Sequence, residues 1–292
     1  MRTIYISIIG ILLFVGCNFN KSIEKDFTTG LYTKGDGLSC DNVFLSVNNE
    51  KTKETTFIYG QKFKMVFDDI RGFKKENGNV FPGMVISIID DQGDTIMQSG
   101  DLYEDYSDGI ALSPLTLSAA VTAASPIISG NKYTMYVKIR DKKERGTLTG
   151  EVNFNVVSND QIIIDTEGVA FNEIYLFSRE RNIVIPDNKI KYNENIYLIF
   201  EGLDGFKEVN GMVFPGLSLK ARDDNDNIIL DYDDLFKGLD ESGVEISNFN
   251  TRISSHFILD PGEIKNPLNL DVTVWDKKSN ARISAKTELI IE

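Results

Sequence analysis

Carboxylates are the commonest chemically capable groups in this sequence, and six of them recur in matched sets. Asp90, Asp91 and Asp101 are answered by Asp223, Asp224 and Asp234 in a second stretch of similar sequence. Carboxylates brought together suit Ca2+, a hard cation that takes about six to eight oxygen ligands. The spacing is not that of an EF-hand loop: Asp224 and Asp226 are followed by Ile228, and the twelfth position is Leu235. Asp-rich turns between strands, and caps where Asp101 and Asp234 precede Leu-aromatic, explain the same residues without an ion. The spacing predicts structural turns and caps first, with Ca2+ as the alternative and its sharper form in the second stretch.

Aromatic side chains are the next candidates. The loop Gly72-Phe-Lys-Lys-Glu-Asn-Gly-Asn-Val-Phe-Pro-Gly83 returns as Gly205-Phe-Lys-Glu-Val-Asn-Gly-Met-Val-Phe-Pro-Gly216. Asn-Gly supplies the positive φ of a tight reversal, and Pro-Gly makes a second bend where a strand begins. Two Phe flank the reversal in each copy, Phe73 with Phe81 and Phe206 with Phe214, as an aromatic ledge for a sugar ring would need. Phe73, Tyr103, Phe206 and Phe236 are the ligand-facing candidates. Large aromatics that recur with their Gly and Pro supports more often cap a core, and packing is the favoured expectation.

Catalysis has little to build on. A Ser-His-Asp arrangement would have to use His256, the single His, in the strand-like Ser254-Ser-His-Phe-Ile-Leu259 with no nucleophile motif beside it. No Gly-rich phosphate loop follows a strand and opens a helix. Paired carboxylates are numerous, but a glycosidase pair needs a cleft. No catalytic residue is assigned, and no cofactor is expected apart from the Ca2+ alternative.

Cys17 is the residue with the plainest chemistry. Arg2 precedes an apolar run from Ile4 to Val15, broken only by Ser7 and Gly10. That run is shorter than the about 20 residues a bilayer span needs and fits a secretory h-region. It ends Leu13-Phe14-Val15-Gly16-Cys17, which resembles a bacterial lipobox, with Phe14 in place of the usual Leu. The Cys17 thiol is therefore expected to take a diacylglyceryl thioether and become the mature N-terminus; a plain secreted protein cut near Gly16 is the alternative. Asn18 is not Asp, which favours the outer over the inner membrane, with the leaflet left open. The other thiol, Cys40, then has no partner and is expected to be buried.

Charge points the same way. The 292 residues hold 31 Lys+Arg against 44 Asp+Glu, a formal net charge of −13. Phosphate contacts need basic residues in excess, so no nucleic-acid partner is expected. An anchored form would hold the membrane by lipid alone, since no polybasic signal supports it.

The elements that position these residues come in two copies. Residues 67–102 match residues 200–235 densely, Tyr59 and Tyr192 keep the register upstream, and Asp141-Lys-Lys143 answers Asp276-Lys-Lys278 downstream. A repeat this long is a tandem domain duplication, not a solenoid. Inside each copy the apolar residues alternate, as in Phe63, Met65 and Phe67, in Tyr133–Arg140 and in Leu268–Trp275. Such alternation predicts half-exposed strands, seven or eight per copy. One or two helical turns are expected over Asp101–Ser107 and Asp233–Leu239. The fold class is all-β: two tandem immunoglobulin-like β-sandwiches, without the Cys…Trp…Cys signature of antibody domains. The divisions are 1–16 signal peptide, 17–37 lipid-anchored tether, 38–158 first repeat and 166–292 second repeat. The linker run Ile162-Ile163-Ile164 should pack and limit interdomain freedom.

The lipobox-like end, acidic body and doubled loop together resemble the Bacteroidota cell-envelope lipoproteins that carry duplicated β-sandwich domains of unknown function. The resemblance implies an outer-membrane lipoprotein with a non-enzymatic binding or scaffolding role, whose partner is an envelope protein or a glycan. Accessory glycan-binding lipoproteins of polysaccharide-uptake systems are the second reading, from which this chain departs in having Trp275 as its only Trp. A hydrolase is the third. Exposed aromatics would favour the glycan; a flat polar face would favour a protein partner.

Overall fold

Phe63, Met65 and Phe67 are wholly buried while Lys62, Lys64 and Val66 face outward, so the alternation read from sequence is the alternation of one strand, Lys62–Asp68. The computed structural model describes residues 21–292 and is built almost entirely of such strands. The expected lipidation site Cys17 lies outside the described residues.

The first sandwich contains β1 (Lys21–Lys25), β2 (Tyr32–Asp36), β3 (Asn42–Val47), β4 (Glu50–Thr52), β5 (Thr56–Ile58) and β6 (Lys62–Asp68). It continues with β7 (Pro82–Asp90), β8 (Thr95–Gln98), β9 (Leu117–Thr122), β10 (Lys132–Asp141) and β11 (Thr147–Val157). One sheet has the order β1-β2-β11-β10-β7-β8, with β5 parallel to β11; the facing sheet is β4-β3-β6-β9. Their inward residues, among them Phe57, Phe63, Phe154 and Met135, form one core.

The second sandwich contains β12 (Ile163–Glu167), β13 (Glu173–Ser178), β14 (Ile183–Ile185), β15 (Lys189–Ile190), β16 (Asn195–Glu201), β17 (Met212–Val213) and β18 (Pro215–Arg222). After it come β19 (Ile228–Tyr232), β20 (Val244–Glu245), α1 (Ile246–Thr251), β21 (Arg252–Ile258), β22 (Leu268–Asp276) and β23 (Arg282–Ile291). Its sheets are β12-β23-β22-β18-β19 and β14-β13-β16-β21, and β15 runs parallel to β23 as β5 does to β11. The duplication therefore holds at the level of topology.

Three sequence expectations need correction. The stretch 17–37 is not a tether throughout: β2 pairs with β11 from Asp36↔Thr147 to Tyr32↔Glu151, β1 pairs with β2, and Leu31 and Thr33 are buried. Short polar strands with Gly35 in their midst show too little apolar alternation to be read alone. The second sandwich begins before residue 166, because Ile163 already pairs with Lys286. Finally, residues 101–107 form turns and not helix, the 3-10 turn Lys237–Leu239 is shorter than expected, and α1, the one α-helix among the described residues, lies where none was read. Extra strands beyond seven or eight are mainly short edge pieces such as β4, β5, β14 and β15.

The two sandwiches are docked. Tyr175 and Ile199, on the outer face of β13 and β16, are buried in the first sandwich's core cluster, with Phe177, Val184 and Tyr197 packed beside them. A Cβ on Gly60 would collide with the Val184 side chain, so the Tyr59-Gly60 turn sits directly on β14. The Ser129 backbone N–H donates to Glu173 Oε1 at 2.6 Å across the same joint. Ile162 is buried in the second core, but Ile163 is 64% exposed. The linker run is thus only part of what joins the domains.

Candidate functional site

The residues that recur between copies meet at one end of each sandwich. The buried Asp141 carboxylate accepts the backbone N–H of Lys74 at 2.7 Å and of Lys143 at 2.9 Å; Asp276 accepts those of Lys207 at 2.8 Å and Lys278 at 2.9 Å. Each Asp thereby ties the GFK loop to the hairpin that follows the next-to-last strand. The neighbouring lysines finish the clasp. Lys142 Nζ lies 3.2 Å from Asp101 Oδ2 and Lys277 Nζ 2.7 Å from Asp234 Oδ2. Lys143 and Lys278 sit over the rings of Phe81 and Phe214, 4.3 and 4.8 Å from their centroids.

Gly72 and Gly205 explain their own recurrence. Both have positive φ, 97° and 107°, and a Cβ on either would strike the carbonyl oxygen of Gly37 or Gly168. Asn77-Gly78 and Asn210-Gly211 have positive φ at both residues, as a tight two-residue reversal requires. Gly83 and Gly216 make room for cross-strand side chains: Arg140 lies over the first and the Trp275 ring over the second. The doubled loop is therefore a structural clasp, and its chemistry is spent on itself.

The four aromatics go inward. Phe206 is buried, and Phe73, Tyr103 and Phe236 are partly buried against their cores. They form no ledge at the loop. Phe236 alone also lines a recess, on the edge of the second sandwich.

The six carboxylates do not converge. Asp101 Oδ1 accepts from Met84 N at 3.0 Å and Asp234 Oδ1 from Leu217 N at 3.2 Å, at the starts of β7 and β18. Asp90 and Asp223 stand six residues further along those strands, about 20 Å away at ~3.3 Å per residue. There Asp90 caps the turn through Gln92 N and Asp94 N, and Asp223 through Asn225 N and Asn227 N. Asp91 and Asp224 are exposed beside these turns. Asp223, Asp224 and Asp234 cannot share an ion across that distance, and neither can their counterparts. Among the described residues no three His, Cys, Asp or Glu side chains gather as a metal-binding group.

Electrostatics agree with a capping role. Burial pushes the Asp101 carboxyl up, but the Met84 and Tyr103 amides, Lys142 and Arg140 outweigh it and hold it at about 2. Asp234 is likewise held below the usual carboxylate range, by Lys277 and two backbone amides against the effect of burial. Cys40 is half-buried, and burial first, then Glu24, Asp41 and Asp68, push its thiol up to about 11. A thiol that stays protonated is a poor nucleophile.

Two surfaces of the second sandwich carry no sequence motif. On the outer face of its larger sheet, register places Ile163, Lys286, Asp271, Lys220 and Asp231 in one row across five strands. The charges pair as they alternate: Lys286–Asp271 at 2.9 Å and Lys220–Asp231 at 3.3 Å. A groove of about 720 Å3 lies over this face, with Asn188 and Thr287 hydrogen-bonded to each other at 2.7 Å among its lining residues. The first sandwich has Glu151, Tyr136, Ser87 and Gln98 in the corresponding row. The signal was the polar half of the period-two pattern in β18, β22 and β23. The second surface is a recess of about 420 Å3 between the edges of β19 and β21, lined by Leu230, Tyr232, Phe236, Ser255 and His256 among others. His256 stacks on Tyr197, ring centroids 5.1 Å apart.

No family model matches the chain, and no curated protein matches it either. Solved structures do. The fibronectin(III)-like modules of Clostridium thermocellum CbhA share 8% identity over 85% of this chain and 94% of theirs, with a TM-score of 0.20. A DUF3823 family protein from Bacteroides ovatus shares 12% over 73% of this chain and 91% of its own, with a TM-score of 0.21. The three N-terminal domains of the bacteriophage RB49 highly immunogenic outer capsid protein share 11% over 85% and 58%, at 0.22. Likenesses this remote say nothing of function.

Proposed function

We propose that the chain is a non-enzymatic lipoprotein of the outer membrane, anchored through an acylated Cys17, whose docked sandwiches hold a protein partner at the cell envelope. The observation that carries the choice of partner is the charge-alternating sheet face formed by Lys286, Asp271, Lys220 and Asp231, together with the inward packing of Phe73, Tyr103 and Phe206. Interdigitated charges across a sheet face favour specificity toward a complementary protein surface. A glycan site would need the aromatic ledge that these side chains do not form. The docked joint supports a scaffold role, because partner and membrane are then held at a set spacing. Since β1 starts at Lys21, an acyl group on Cys17 would stand within about 14 Å of the first sandwich, at ~3.5 Å per residue.

The test is in cells. A photo-cross-linker at Asp271 is expected to trap one envelope protein, and the pair Lys220→Glu with Lys286→Glu to abolish the product. Cys17→Ala is expected to move the chain from the detergent phase to the aqueous phase. Equal partitioning of Cys17→Ala and the native chain would overturn the anchor. Saturable binding to a purified envelope polysaccharide, with no cross-link from the charged face, would overturn the protein partner in favour of the glycan.

A further inference from the structure

The two sandwiches share a frame, so the places where they differ report what the second copy does in addition. Register makes the equivalence explicit. Ser118, Ala119 and Ala120 of β9 lie opposite Val66, Met65 and Lys64; Ser254, Ser255 and His256 of β21 lie opposite Ile199, Leu198 and Tyr197. The second copy thus has Ser-His where the first has Ala-Ala. Tyr103 and Phe236 are the equivalent residues of the two clasps, each donating its backbone N–H to the clasp Asp. Tyr103 is partly buried against the first core and carries a hydroxyl that Phe236 lacks. In the second copy the recess of about 420 Å3 lies between β19 and β21, with Phe236 in its lining.

Three further features say what fits there. Ser255 is 2% exposed, lines the recess, and its hydroxyl has no hydrogen-bond partner among the described residues. Leaving a buried hydroxyl unpaired is costly, so a polar group brought to it gains what the apo protein forgoes. The walls are apolar: Leu230, Phe236 and Phe257. Apolar walls with a hydroxyl at depth suit a phenol, an apolar body with a polar tip.

The surroundings select a peptide to carry that phenol. Among the described residues β21 pairs only with β16, and β19 only with β18, so each offers an unpaired strand edge along the recess. Tyr232 at 50% exposure and Ile258 at 53% stand on the two lips. An extended segment adding to such an edge gains main-chain hydrogen bonds and drops alternate side chains into pockets. The β19 lip belongs to residues 223–245, which hold nine acids and a single Lys. That balance favours basic flanking residues.

We infer that the second sandwich docks an extended, basic peptide segment along β21, with a tyrosine seated between the sheets against Ser255. The inference rests on the reading of the chain as a protein-binding module and names the segment recognised. It adds a strand site on the sandwich edge to the charged face.

His256 is the only His and follows Ser255 on β21, so its signals in an NMR spectrum identify themselves and report from the strand along which the peptide would pair. The full chain in detergent is titrated with the synthetic peptide Lys-Thr-Lys-Thr-Tyr-Thr-Lys-Thr-Lys, with a Phe-centred copy, and with a copy carrying Glu for every Lys. The Tyr peptide is expected to shift the His256 signals saturably and to bind about tenfold tighter than the Phe peptide, the loss from leaving Ser255 unpaired. The Glu peptide is expected not to bind. Phe236→Tyr puts the first copy's larger, polar side chain into the recess wall and is expected to weaken binding by about tenfold or more; Ser255→Ala is expected to erase the preference for Tyr over Phe. Melting curves check that both variants fold, and the Phe peptide tests the Ser255 contact in the native chain whatever they do. Unmoved His256 signals, equal binding of the Tyr and Phe peptides, or undiminished binding by a folded Phe236→Tyr would overturn the site. Such a failure leaves the cross-links of the charged face untouched, so the two readings fail separately.

Discussion

Tyr59 of the first sandwich and Tyr175 of the second meet ring to ring across the joint, centroids 5.2 Å apart and planes tilted by 45°. Each is also tied to its own domain. Ser125 N donates to the Tyr59 hydroxyl at 3.2 Å, and the Tyr175 hydroxyl donates to Glu201 Oε1 at 2.6 Å. The contact is therefore between two side chains each held by a hydrogen bond, and it is expected to couple the sandwiches into one thermodynamic unit.

The expected outcome is a single calorimetric unfolding transition for the native chain. Tyr175→Ala removes a buried ring and should cost about 3 kcal/mol. It should also weaken the coupling enough to split the transition in two, leaving the joint to Ile199, Phe177, Tyr197, the Gly60–Val184 contact and the Ser129–Glu173 hydrogen bond. Two transitions already present in the native chain, unaffected by Tyr175→Ala, would show that the joint does not couple the domains.

Glycine substitutions separate two causes of the same conservation between copies. Gly78 has φ of 84° and open space where a Cβ would stand, so Gly78→Val pays only for backbone conformation, about 1 kcal/mol. Gly72 combines positive φ with the Gly37 carbonyl in the path of its Cβ. Gly72→Ala should therefore be the more destabilising change although it adds fewer atoms. Urea midpoints for the two variants decide it, and a smaller loss for Gly72→Ala would contradict the close approach of loop to strand.

What was legible in the sequence followed from periodicity and repetition. Phe63, Met65 and Phe67 announced a strand because burial on one face has a period of two, and the doubled GFK loop announced two domains because its Gly and Asn have no alternative. The partners of those residues were not legible. Asp141 and Asp276 stood in the repeat with no visible reason until their hydrogen bonds to Lys74 and Lys207 brought distant segments together. Ser255 and His256 carried no motif at all. Their meaning lies in what the first copy has instead, Ala119 and Ala120, and alignment across β9 and β21 needs the register of the sheets. α1 escaped because six residues with one buried side chain, Phe249, show no helical period.

Calcium should act on this protein only as any divalent ion does. Asp90 and Asp101 stand at opposite ends of β7, and Lys142 already neutralises Asp101. Added Ca2+ or Mg2+ should move the melting temperature slightly and equally through screening. Asp224→Asn should leave the response unchanged, since Asp224 is exposed beside the turn that Asp223 caps. A saturable response selective for Ca2+, approaching about 2.7 kcal/mol at one hundred times Kd and lost in Asp224→Asn, would return these carboxylates to a binding role.

Acid should act on the joint and on the clasps in opposite directions. Glu173 is 2% exposed, and its Oε2 has no hydrogen-bond partner among the described residues. Burial raises its carboxyl above the ordinary value, the Ser129 amide opposes this, and the nearby Glu201 adds to it. The folded chain thus keeps this proton to higher pH than the unfolded chain does. Its stabilising contribution is fully present below the unfolded value and is lost as pH rises through the raised folded one. Asp101 runs the other way: held at about 2, it contributes above the ordinary carboxylate range and loses that contribution as pH falls toward 2. Lowering the pH from neutrality should first tighten the joint and only later release the clasps. Glu173→Gln keeps an acceptor for Ser129 without the charge, so it should raise the melting temperature at neutral pH by a few degrees and flatten the initial rise on acidification. The melting temperatures of both proteins across the acid range are the measurement. Parallel profiles would mean that the Glu173 carboxyl is solvated in the joint and that its burial has no energetic consequence.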